Sequence, residues 1–84
     1  MKKYQRISLD VDVRFYKNGK IKPKKILFGE STFEISRVLE IRSFCPMVVP
    51  CVAPTEYRVI VEGQEKKIYF EADTNSWFAI KELL

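Results

Sequence analysis

Residues 7–15 read Ile7-Ser8-Leu9-Asp10-Val11-Asp12-Val13-Arg14-Phe15, with an apolar side chain at every second position and a polar one between. Side chains of a strand point alternately to its two faces, so this segment offers one face to a core and one to water. The β-branched residues Ile7, Val11 and Val13 fit a pleated surface better than a helix. The segment is therefore a half-buried strand, and neighbouring segments continue in the same style.

Working outward, the three glycines mark chain reversals. Asn18-Gly19 follows the first strand and is a strong short hairpin signal. Gly29 ends Lys25-Ile26-Leu27-Phe28, and Gly63 separates residues 57–62 from 66–71. Strands are expected near 6–16, 20–28, 32–42, 56–62, 66–71 and 76–80, with Asp73-Thr74-Asn75-Ser76 as a turn. Pro23 has no N–H to donate, so the second strand is an edge or is interrupted there.

Residues 31–42 admit two readings. Ser31-Thr32-Phe33-Glu34 matches a capping box, and Ile35, Val38 and Leu39 fall at helical spacing. Phe33 and Ile35 alternate as strand residues do, and a bulge at Ser36-Arg37 would reset the phase before Val38. We adopt the bent strand; a helix near 32–42 would make the fold α+β. The expected fold is all-β, a small antiparallel meander of five to six strands curled into a partly open barrel. Its core is expected to hold Phe15, Phe33, Tyr57, Phe70 and Trp77.

At 84 residues the chain suits one domain with a thin core. No apolar run is long enough to cross a bilayer. Met1-Lys2-Lys3 leads into Tyr4-Gln5-Arg6 rather than a hydrophobic export segment, so the cytoplasm is the expected compartment. Residues 43–55 break the pattern, carrying Pro46, Pro50 and Pro54 in an otherwise apolar stretch. Prolines at that density exclude a regular helix and a central strand, and the result is an apolar Pro/Cys loop.

The chemistry expected of the chain is sparse. It has no histidine, which removes the commonest general base and any Ser-His or Cys-His pair within the chain. Asp10 and Asp12 form a carboxylate pair, but on the solvated face of a strand. Cys45 and Cys51 are the only thiols, too few to close a tetrahedral zinc site alone, and in a reducing compartment they pack as small hydrophobes. We expect no catalytic residue, metal, cofactor or small-molecule substrate, and no enzyme activity.

Charge gives the best functional lead. Residues 1–28 carry nine Lys/Arg against two Asp, a net of +7, whereas residues 29–84 carry six Lys/Arg against nine Asp/Glu, a net of −3. Lys17, Lys20, Lys22, Lys24 and Lys25 crowd one hairpin, a pattern that suits a phosphate backbone, with Tyr16, Phe28 and Tyr69 available for stacking. Lysines on an edge strand also block edge-to-edge aggregation, which is the plainer account of the same residues. The alternative function is a protein-interaction or homodimerisation module that uses the apolar 44–52 loop, with Met47, Val48, Val49 and Val52 as anchors.

Several segments together resemble a family of short uncharacterised bacterial proteins, often encoded near plasmid or conjugative-element genes. The likeness rests on Val11-Asp12-Val13-Arg14-Phe15, on Gly19-Lys20-Ile21-Lys22-Pro23-Lys24-Lys25-Ile26, and on residues 33–42, 57–59 and Trp77-Phe78. It implies a small β-barrel or rolled sheet with no established activity. It supports the bent strand over 32–42 and contributes no catalytic residue. The chain departs from that family's pattern at 43–55.

Overall fold

In the computed structural model, which describes residues 3–43 and 54–83, Pro23 and Ile26 both point into the core although they stand three positions apart. Strict alternation would separate them. Asp12 pairs with Lys25 and Val13 with Pro23, so Lys24 is an extra residue that forms a bulge between them. The bulge resets the phase and leaves Lys24 and Lys25 together on the outer side.

Six strands follow in order: β1 (Lys3–Phe15), β2 (Ile21–Phe28), β3 (Ser31–Ser43), β4 (Thr55–Val61), β5 (Gln64–Glu71) and β6 (Ser76–Leu83). Each pairs antiparallel with the next, and β1 closes on β6, so the meander is a closed barrel rather than a partly open one. β1 serves two neighbours, pairing with β6 over residues 3–9 and with β2 over residues 10–15. β3 does likewise, pairing with β2 over residues 31–34 and with β4 from Ile35 onward. The described residues contain no helix.

β3 shows why its sequence looked helical. Its ladder with β4 skips Ser36 and again Leu39, so two bulges interrupt one strand. They place Ile35, Val38 and Ile41 on one face at three-residue spacing, close to a helical period. The Ser36 hydroxyl donates to the Ile60 carbonyl at 3.2 Å, occupying an acceptor next to the first bulge.

Turn chemistry follows the glycines. In the first hairpin the Gly19 N–H donates to the Tyr16 carbonyl at 3.0 Å and the Tyr16 N–H donates to the Lys20 carbonyl at 2.9 Å. With Gly19 at φ +84° this is a three-residue loop closed by a glycine bulge, tightened by the Lys20 N–H donating to Asn18 Oδ1 at 3.1 Å. Glu62 and Gly63, at φ +51° and +76°, make a two-residue turn of the primed type, whose twist matches the flanking strands.

The core holds Ile26, Tyr57, Val59, Val61, Ile68 and Trp77, flanked by Phe33, Phe70 and the inner residues of β1. Trp77 packs between Tyr57 and Phe70, with ring centroids 5.0 and 4.8 Å away. Phe15 does not join them. It has the inward phase, but β1 runs past the barrel wall there and leaves the ring 73% exposed. Phe78 is buried instead, on the outer wall.

Candidate nucleic-acid interface

The β1–β2 hairpin gathers positive charge because its register sets cation against cation. Arg14 lies opposite Lys22, and Lys17 and Lys20 occupy the loop that joins the strands. Like charges facing across a ladder cost stability. Among the described residues, none of Arg14, Lys17, Lys20 and Lys22 enters an ion pair.

On other faces four cations are held by glutamates. Arg58 bridges Glu40 at 3.4 Å and Glu65 at 3.3 Å, Arg42 meets Glu40 at 3.1 Å, and Lys67 meets Glu56 at 3.9 Å. Arg6 is bound to Glu71. The hairpin tip thus gathers four of the cations of the N-terminal third without an ion pair among the described residues.

The five lysines expected to act together divide into two sets. Lys17, Lys20 and Lys22 converge at the tip. Lys24 and Lys25 sit farther along β2, and Lys25 lies between Asp12 on β1 and Glu34 on β3. Those two carboxylates are its cross-strand neighbours, though neither is within ion-pair distance of it. Arg14 belongs to the tip set and was not singled out from sequence, although it shares the outer face of β1 with Asp10 and Asp12. Met47, Val48, Val49 and Val52 lie outside the described residues, as do Cys45 and Cys51.

Beside the tip the barrel wall opens. The β2–β3 ladder ends at Lys25 and Glu34, after which β3 turns toward β4 and residues 21–24 of β2 have no second neighbouring strand among the described residues. A cleft of about 420 Å³ fills the gap, lined by Ile21, Pro23, Val38 and Ile41 with Lys20 and Lys22 at its rim. Pro23 suits this place, because hydrogen bonding alternates along a hairpin and its nitrogen faces the side that pairs with no strand among the described residues. No ladder bond is lost.

No family model, curated protein or solved structure matches the chain.

The site therefore rests on its own chemistry. The tip carries four cations, the exposed ring of Phe15, and the half-exposed ring of Tyr16 with the Arg14 guanidinium 5.2 Å from its centroid. Of the aromatics considered for stacking, Phe28 is exposed but stands near the opposite end of the barrel, beside the Gly29 turn. Tyr69 is stacked on Phe78 at 5.3 Å. Among the described residues, no three His, Cys, Asp or Glu side chains are grouped to hold a metal ion.

At the opposite end β5 and β6 pair only over residues 69–71 and 76–78 and then diverge. The hollow between them, about 790 Å³, has an apolar floor of Leu9, Phe33, Val61 and Ile68. Lys66, Lys67, Glu62 and Glu65 on its rim give no net charge.

Proposed function

We propose that the protein is a cytoplasmic, non-enzymatic module that binds the phosphate backbone of a nucleic acid through Arg14, Lys17, Lys20 and Lys22. The observation that carries this is the convergence at the hairpin tip of Arg14, Lys17, Lys20 and Lys22, four cations with no ion pair among the described residues, whereas Arg6, Arg42, Arg58 and Lys67 on other faces are each held by a glutamate. Cations without acidic partners give up no intramolecular pairing on meeting a polyanion, and the release of condensed counterions from the nucleic acid drives association. Lys24 contributes from the flank, and Lys25 contributes less because Asp12 and Glu34 sit beside it.

The test is fluorescence anisotropy of labelled nucleic acid at two salt concentrations. Four phosphate contacts correspond to a slope of log K against log salt of roughly −3 to −4. The double variant Lys20→Glu, Lys22→Glu should abolish binding, while Lys66→Glu at the far end should leave it intact. Absence of binding at low salt, or binding that survives the double variant, refutes the proposal.

A further inference from the structure

The tip is shaped for more than phosphates. Phe15 exposes 73% of its surface and Ile41 exposes 56%. Leaving such side chains in water forgoes burial that the core would have rewarded. Ile41 lines the cleft between β2 and β3, while Phe15, opposite Ile21 on the ladder, lines the adjoining surface with Arg14 and Lys17; Tyr16 and Asn18 border both, so the apolar surface and the unpaired cations adjoin. The cleft's walls are apolar, and the hairpin's alternation turns the Ile21 N–H and carbonyl and the Pro23 carbonyl into it. An apolar slot edged by backbone donors and acceptors suits an unpaired nucleobase, which has two π-faces and a hydrogen-bonding rim.

Resting on the phosphate-binding reading, we infer that the ligand is single-stranded, with one base in the cleft against Ile21 and Ile41 and a neighbouring base stacked on Phe15. Lys20 and Lys22 at the cleft rim and Arg14 beside Tyr16 stand where the strand's phosphates pass. A duplex has its bases paired and stacked, so it satisfies the cations and leaves the cleft and the Phe15 ring unused. An extended peptide would instead add to residues 21–24 of β2, unpaired on that side among the described residues, but Pro23 supplies no donor there, and the charge around the cleft favours a polyanion.

The experiment compares three labelled single strands of about twelve nucleotides, oligo-dT, oligo-U and an abasic strand of equal phosphate number, with a DNA duplex of the same length, whose second strand doubles the phosphates and so biases the comparison against the inference. The inference expects oligo-dT or oligo-U to bind at least about tenfold tighter than the abasic strand and the duplex. Phe15→Ala and Ile41→Ala should erase that margin while leaving duplex affinity and the salt slope unchanged, because every cation remains. If the four ligands bind alike and both variants behave as wild type, the single-strand inference is wrong and phosphate binding stands. If none binds at low salt, both fail. The abasic comparison uses only the wild-type protein, so it decides even where a variant misfolds.

Discussion

The guanidinium carbon of Arg6 lies 4.3 Å from the ring centroid of Phe78, and the same guanidinium binds Glu71. Phe78 alternates with the inward residues Trp77 and Ala79 and so faces outward, yet it is only 5% exposed. Arg6 covers one side of it, and Tyr69 stacks on it with planes 16° apart. Three strands thus build a small apolar cluster on the outer wall.

Arg6→Ala should therefore lower the melting temperature, although its ion pair is largely solvent-exposed. The cation–π contact contributes about 0.5–1 kcal/mol at an exposed site, which for a domain of this size is a shift of roughly 2–8 °C. Arg6→Lys keeps the charge but loses the planar contact and should fall between. Phe78→Ala should cost about 3–5 kcal/mol. Thermal melts followed by circular dichroism would separate the three; equal melts for Arg6→Ala and wild type would dismiss the cover.

The bulges predict which deletions the barrel survives. Removing Ser36 restores plain alternation and keeps Phe33, Ile35 and Val38 facing inward. Removing Glu34, two residues earlier, turns Phe33 to the outside. Deletion of Ser36 should give a folded protein with a lowered melting point, and deletion of Glu34 should not fold. Amide dispersion in a two-dimensional nitrogen–proton spectrum reads the difference, and identical behaviour would contradict the phase argument.

Glu62 occupies the left-handed region at φ +51°, where asparagine is favoured over glutamate. Glu62→Asn should raise stability by about 0.5–1 kcal/mol. Gly63→Ala, at φ +76°, should lower it by about 1 kcal/mol or more. Denaturant midpoints measure both, and a neutral Gly63→Ala would count against a strained turn.

Burial raises the Tyr57 phenol above its ordinary 10.0, and burial together with the Glu56 carboxylate does the same for Tyr69. The fold therefore favours both phenols in their neutral form. That contribution is complete below pH 10 and is lost as pH rises through the raised values. Melting temperature should fall on the alkaline side of pH 10, and Tyr57→Phe should make the fall shallower. A melt series across that range, showing the same alkaline limb for Tyr57→Phe and wild type, would exclude Tyr57 as a cause.

Much of the architecture was legible in local pattern, since every strand and every turn glycine stands within a few residues of its expected place. The bulge at Ser36 was readable because Phe33, Ile35 and Val38 cannot share a face without it. The second bulge, at Leu39, was not, because the same residues satisfy a helical period. Phe15 was misplaced because alternation gives a side chain's phase but not how far the barrel wall extends. Phe78 was missed because its cover comes from β1 and β5, and contacts between strands depend on register. For the same reason the sequence shows five lysines within residues 17–25, while only register reveals that Asp12 and Glu34 flank Lys25 and that Arg14 joins the tip.

Closure of the barrel has a kinetic side. Five of its six ladders join strands adjacent in sequence and can form while the rest of the chain is loose. The sixth sets Leu9 against Trp77 and Lys3 against Leu83, bringing opposite ends of the chain together at once. The slow step of folding is then the meeting of β1 and β6, delayed because the short β5–β6 ladder steers the last strand with only three residue pairs. A ribbon halted before that meeting would present two open strand edges, so the wait for closure is the interval in which neighbouring chains can pair instead.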